Sequence, residues 1–242
     1  MKRIRSPLLP PAGEVGIPIP SALLGADFQV PDPVTGIVIF AHGSGSSRKS
    51  GRNRAVAARL REAGLATLLL DLLTPEEEAI DRLRGHLRFD VAFLGERVLA
   101  ATEWIRDRRF LDRLPFGYFG ASTGAAAALL AAAALGDEVG AVVSRGGRPD
   151  LASEALPRVL APTLLIVGGA DEEVLELNRA AFDRLRCEKE LRIVGGATHL
   201  FEEPGALEEV ARLAAAWFRR HLGTSEWAPT PADRLDASVR GE

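Results

Sequence analysis

The stretch Phe116-Gly117-Tyr118-Phe119-Gly120-Ala121-Ser122-Thr123-Gly124, followed by the small apolar run Ala125 to Leu135, constrains the fold more than any other part of the chain. An aromatic, β-prone segment runs into G-x-S-x-G and then into an alanine-rich helix former. That is the order of elements needed by a sharp strand-to-helix turn that exposes a serine. Side chains at positions 120 and 124 would collide with neighbouring backbone in such a turn, and glycine removes the collision. Ser122 is therefore the candidate nucleophile.

Strand and helix signals alternate on both sides of this turn. Val15 to Ile19 and Ala22 to Val30 read as an antiparallel hairpin at a sheet edge, ended by Pro31-Asp32-Pro33. Gly36 to Ala41 is a continuous β-branched apolar run, the pattern of a strand buried on both faces. Asn53 to Ala63 has helical spacing, with Gly64 as its stop before the run Ala66 to Leu70. Thr74 followed by Pro75 and three glutamates is a helix start, with a break near Gly85 and a better amphipathic stretch from Val91 to Ile105. Further strands are expected at Val139 to Val143, Thr163 to Val167 and Glu190 to Val194, and helices at Glu172 to Leu185 and Ala206 to His221. This alternation predicts an α/β fold: a mostly parallel central sheet with an N-terminal antiparallel edge hairpin and helices on both faces. At 242 residues and 47% hydrophobic the chain can fill one domain, expected over residues 1–223, with 224–242 as a flexible tail.

A serine hydroxyl needs a base to take its proton and an acid to orient that base. After an elbow of this kind the partners follow in the order acid, then histidine. Asp171 ends Val167-Gly168-Gly169-Ala170-Asp171, where a glycine-rich turn after a strand lets a short carboxylate face back over the sheet. Its competing reading is the N-cap of the helix starting at Glu172, with Glu172, Glu173 and Asp150 as the other acids available. His199 follows the last strand in Gly195-Gly196-Ala197-Thr198-His199, at the strand C-termini where open α/β sheets collect ligands. His86 and His221 read as surface residues. His42, ahead of Gly43-Ser44-Gly45, reads as a structural hydrogen-bonder in the loop that supplies an oxyanion donor; the two donors expected are the Ser44 and Thr123 backbone N–H groups. Arg145 and Arg148, in Ser144-Arg145-Gly146-Gly147-Arg148, are candidates to pair with an anionic group on a substrate, against the plainer reading of solvated loop arginines.

Taken together, His42-Gly43-x-Gly45, Gly120-x-Ser122-x-Gly124, Gly168-Gly169-Ala170-Asp171 and Thr198-His199 resemble an α/β-hydrolase, and more narrowly the dienelactone hydrolase-like branch, over roughly residues 15–222. The resemblance implies the α/β-hydrolase fold, a Ser/Asp/His triad of Ser122, Asp171 and His199, and hydrolysis of an ester, thioester or lactone through an acyl-enzyme, with no metal and no organic cofactor. Dienelactone hydrolases proper carry cysteine at the elbow, whereas this chain carries Ser122, a departure that weakens the transfer of the lactone substrate itself. The same kind of sequence is similar to hydrolase modules joined to phosphoribosyltransferase domains, so the resemblance allows such a partner, or a second copy of the chain, although no second domain is expected in this sequence. Ser144 to Pro162 has room for only a short helix, which predicts an open site with no large lid.

Other functions are disfavoured on physical grounds. Gly43 to Ser50 nearly matches a phosphate-binding loop, G-x-x-x-x-G-K-[ST], with Asp71 as a magnesium-holding acid, but Arg48 stands where the second glycine belongs and would crowd the phosphates. The same arginine spoils a dinucleotide-binding reading. An acyltransferase or perhydrolase would use the same triad and differ only in the group that resolves the acyl-enzyme. A formal charge of −3 argues against nucleic acid as a partner. The longest apolar run is too short to cross a bilayer, and no signal peptide is evident. The one cysteine, Cys187, reads as an ordinary residue rather than a catalytic thiol and suits a reducing, cytoplasmic setting.

Overall fold

The computed structural model describes residues 12–108 and 111–223; the tail expected to be flexible, 224–242, lies outside them. Eight strands form one sheet: β1 (Gly13–Ile19), β2 (Ala22–Gln29), β3 (Gly36–Ala41), β4 (Leu65–Leu70), β5 (Phe116–Ala121), β6 (Ala141–Arg145), β7 (Thr163–Gly168) and β8 (Lys189–Val194). Their order across the sheet is β1-β2-β4-β3-β5-β6-β7-β8. The hairpin β1–β2 pairs antiparallel and joins β4 antiparallel; every other pairing is parallel. This is the expected α/β-hydrolase architecture, and among the described residues it carries no large lid.

The continuous apolar strands are explained by two cores. In β3, Ile37, Ile39 and Ala41 lie on the face covered by α3 (Val91–Arg106) and α4 (Thr123–Leu135), with α5 (Glu172–Arg184) further along the same layer, while Val38 and Phe40 lie on the face of α1 (Gly51–Glu62) and α6 (Ala206–Leu222). A strand covered on both faces has no polar side to show, so period-two alternation disappears from its sequence. Only the edge keeps it. β1 and β2 alternate between more and less covered positions, as a hairpin covered on one face should.

Helix α2 (Pro75–Arg84) starts as its sequence dictates: the Thr74 hydroxyl accepts from Glu77 N–H while the Glu77 carboxylate accepts from Thr74 N–H, and Gly85 ends it in the left-handed region at φ 65°. β6 begins two residues later than the sequence suggested, at Ala141. The stretch between β6 and β7 holds only two short 3₁₀ turns, Pro149–Ala152 and Leu156–Arg158. His221 departs from its surface reading; its ring packs on Trp217 with centroids 4.4 Å apart and its side chain is 10% exposed.

Within the core, Thr102 uses its only hydroxyl proton on Val98 O at 2.9 Å, so Tyr118 must be the donor in the 2.7 Å bond between the two hydroxyls. Burial pushes the Tyr118 phenol well above its ordinary pKa. Tyr118→Phe should lower the unfolding free energy by about 1 kcal/mol at neutral pH in a urea titration. A raised folded-state pKa contributes stability below the unfolded value and loses it above. The wild type should therefore lose its advantage over Tyr118→Phe as pH climbs past about 10.

Candidate active site

Ser122 sits at the turn between β5 and α4 with φ 50° and ψ −123°, a conformation that an L-residue holds at a strain of about 1–3 kcal/mol. The flanking glycines are needed for the reason read from the sequence. A methyl group at Gly120 would lie 2.4 Å from Ala125 Cα, and one at Gly124 would lie 2.3 Å from the Ala41 carbonyl oxygen. The backbone of Ser122 is held on both sides: its N–H donates to Arg145 O at 3.2 Å, and its carbonyl accepts from Arg148 N–H at 3.0 Å and Ala125 N–H at 3.1 Å. The hydroxyl does not cap α4.

The loop that holds Ser122 is itself braced. Gly146 N–H donates to Ile166 O at 2.8 Å, and the fully buried Asn178 of α5 donates its amide to Gly147 O at 2.9 Å and Val174 O at 2.8 Å. No room exists for a side chain at Gly147, where a methyl group would meet Ser144 Oγ at 1.9 Å. Sequence reasoning missed Asn178 because a lone amide inside an amphipathic helix carries no local signal of what it reaches.

Asp171 and His199 are brought together by backbone. Gly169 N–H donates to Val194 O at 2.8 Å and Ala170 N–H to Ala197 O at 2.9 Å, stitching the turn after β7 to the loop after β8. That seam is close enough for a methyl at Gly168 to lie 2.3 Å from Ala197 O. Asp171 stands at the N-cap position of α5 but makes no capping bond with its side chain; Oδ2 instead lies 2.7 Å from His199 Nδ1. Of the competing acids, Glu172 and Glu173 are exposed and Asp150 is paired with Arg148. Phe201, buried and at φ 56°, anchors the histidine loop in the α1/α6 core. The His199 ring lies over Gly146, with Cε1 3.6 Å from where a methyl there would stand. It is thus one residue from Arg145, whose carbonyl holds Ser122 N–H.

The loop after β3 closes the opposite side. A methyl at Gly43 would lie 2.9 Å from Ser122 Cβ and 3.7 Å from its Oγ. Ser44 N–H donates to Thr123 Oγ1 at 2.9 Å, so the residues read as the two oxyanion donors adjoin, with the Ser44 amide already engaged by the threonine hydroxyl. Thr123 N–H opens α4, where a helix has no internal acceptor for it. His42 accepts Leu72 N–H at Nε2 (3.1 Å), which leaves the proton on Nδ1 to be donated to Gly43 O (2.9 Å). Burial pushes its pKa below the ordinary histidine value. Nε2 ties the end of β3 to the end of β4 and Nδ1 fixes the ring on its own loop, a structural role.

The arginine readings need correction. Arg145 is not a solvated loop arginine, and Arg148, with its side chain 35% exposed, does not offer a free guanidinium, because Nε and Nη2 bind the two Asp150 oxygens at 2.9 and 2.8 Å. Arg145 is 8% exposed beside the Phe201 ring, with Nε and Nη1 lacking an acceptor; burial, then the nearby Arg52 charge, push its pKa down to about 10. The phosphate-loop reading also fails on geometry. Arg48 binds Asp71 through its backbone N–H at 2.7 Å and through its guanidinium, which also reaches Glu14 and Asp27. Asp71 therefore holds an arginine rather than a metal, and the loop turns on its own Ser46 N–H to Gly43 O and Ser50 N–H to Ser47 O bonds.

The dienelactone hydrolase family model matches residues 21–223. Two proteins of Mycobacterium tuberculosis strains, provisionally named phosphoribosyl transferases, are 57% identical over 205 residues, which are 85% of this chain and 45% of theirs. The chain thus spans less than half the length of these relatives. Among solved structures, a dienelactone hydrolase from Anabaena variabilis is 55% identical with a TM-score of 0.84, over 86% of this chain and 97% of that one. A lidless α/β serine hydrolase from Xanthomonas campestris, 22% identical with a TM-score of 0.71 over 90% and 99% of the two chains, shares the fold. Among the described residues no helix is long and apolar enough to cross a membrane.

Asn178→Ala should cost about 1–3 kcal/mol in a urea titration, because it strips the Gly147 carbonyl of its buried donor. Glu176→Ala, on the exposed face of the same helix, should stay within about 0.5 kcal/mol of wild type.

Proposed function

The chain belongs to the dienelactone hydrolase family, α/β-hydrolases acting on ester bonds, and from that premise we propose that it is a serine hydrolase that cleaves a carboxylic ester or related acyl bond through an acyl-enzyme. The observation that carries this reading is the 2.7 Å bond between Asp171 and His199 beside the strained Ser122 turn. Because Asp171 engages Nδ1, the nitrogen of His199 left to accept a proton is Nε2. Ser122 Oγ attacks the acyl carbon as its proton passes to that nitrogen. The negative charge that develops on the carbonyl oxygen is met by Thr123 N–H and by Ser44 N–H, the latter released from Thr123 Oγ1. The proton then goes to the leaving oxygen, and water resolves the acyl-enzyme by the same steps in reverse. An acceptor other than water would make the same intermediate an acyl donor, the acyltransferase or perhydrolase alternative.

Arg145 is the arginine proposed to meet an anionic group on the substrate. A buried guanidinium with two unpaired N–H groups has more to gain from a carboxylate than Arg148, which already has one.

Ser122→Ala should abolish covalent labelling by a fluorophosphonate and turnover of short-chain aryl esters, while the fold survives by circular dichroism; retained turnover would dismiss Ser122. Asp171→Ala should lower kcat by about 10⁴-fold, less than the roughly 10⁶-fold expected for Ser122→Ala or His199→Ala. Arg145→Met should lower kcat/KM at least about tenfold for carboxylate-bearing esters and leave neutral esters within twofold. Equal losses for the two ester classes would remove it from substrate recognition.

A further inference from the structure

The sheet order divides the site into two flanks. Ser122 rises from β5, with β3, β4 and β2 on one side and β6, β7 and β8 on the other. The acid and the base both come from the second flank, Asp171 after β7 and His199 after β8. In acyl transfer the protonated imidazole gives its proton to the leaving oxygen, so the leaving group must lie toward the histidine. The acyl group then points to the other flank.

That flank holds a cavity of about 510 Å³, which reaches the His42–Ser44 loop packed against Ser122 and extends between β2 and α2. Pockets of this size hold a drug-sized ligand. Leu24, Leu72 and Leu94 form a buried apolar lining, Leu73 is half-buried, and Leu23 stands at the lip, 62% exposed. The charged groups lining it are largely neutralised in pairs: Arg48 is bound to Asp71 and Glu14, and Arg88 to Asp81. Glu78 and Arg82 are exposed on α2 and face water. No buried charge is left unpaired here to bind an anionic tail, whereas the unpaired Arg145 lies on the opposite flank.

Resting on the serine-hydrolase reading, we propose that this cavity is the acyl-binding subsite, that the acyl groups it takes are uncharged and longer than acetyl, and that Leu23 and Leu73 set their length. When the Ser122 Oγ–acyl carbon bond forms and the bond to the leaving oxygen breaks, the leaving group departs with the proton carried by His199. The acyl chain stays in the cavity, esterified to Ser122, until water attacks the same carbon and releases the carboxylic acid.

The test is an aryl-ester series from acetyl to decanoyl, with a second series in which the acyl group is fixed as acetyl and the alcohol grows. Wild type should gain kcat/KM as the acyl chain lengthens to about hexanoyl, since each methylene placed in an apolar pocket is worth a measurable factor. Leu73→Trp and Leu23→Trp, both at incompletely buried positions and checked for folding by thermal melting, should each cut kcat/KM for the hexanoyl ester at least about tenfold while the acetyl ester moves less than twofold. A variant response that follows the size of the alcohol rather than the acyl group would overturn the assignment, and so would an unchanged chain-length profile in both variants. A wild type that takes fluorophosphonate at Ser122 yet shows no acyl-length preference overturns this assignment alone. One that takes no label and hydrolyses no ester overturns the serine-hydrolase reading, and the cavity assignment falls with it.

Discussion

The rest of the site depends on how closely three pieces of backbone approach one another at the end of β5. Gly124 lies so near the carbonyls of Ala41 and His42, and Gly43 so near the Ser122 side chain, that α4, the loop after β3 and the nucleophile turn form one packed unit. Any side chain at these positions would push β3 and α4 apart. With glycine there, the serine is lifted out of the sheet without opening a gap beneath it, and the amides of Ser44 and Thr123 come to the same rim. Close packing thus sets the Ser44 amide against the Thr123 hydroxyl at the edge of the Ser122 turn.

The strain stored at Ser122 is offset locally. Three backbone hydrogen bonds grip its peptide units, and the loop that provides two of them is held in turn by Ile166 O and by Asn178. Asp171 and His199 are fastened separately, by two backbone bonds that run between the turn after β7 and the loop after β8. Neither fastening uses an exposed charge pair, which would weaken with salt and contribute little. Charge does structural work at the hairpin side of the sheet, where Arg48 ties β1, β2 and the end of β4 together.

Much of this was legible in the residues because the strongest local signals are steric. Gly120 and Gly124 around Ser122, the unbroken strand Gly36–Ala41 and the capping box at Thr74 each state a backbone requirement that does not depend on distant sequence. The glycine-rich turns ahead of Asp171 and His199 likewise announce themselves. What the sequence hid are side-chain meetings that no local pattern encodes. Nothing around Arg148 says that Asp150 will take its guanidinium, nothing around Arg145 says that it will be buried beside Phe201, and nothing around Asn178 points to Gly147. His221 misled for the same reason: its arginine neighbours suggest water, while Trp217, four residues back on the same helix face, covers it.

The placement of β5 in the middle of the sheet also bears on how such a protein can diverge. Asp171 and His199 are tied to each other through the strands at one margin, while the hairpin, the end of β4 and α2 at the other margin touch neither of them. Replacements accumulating in that second half can reshape its surface without loosening the Asp171–His199 pair. Two histories can therefore be written into one polypeptide, a slow one on the side of the imidazole and a faster one across from it.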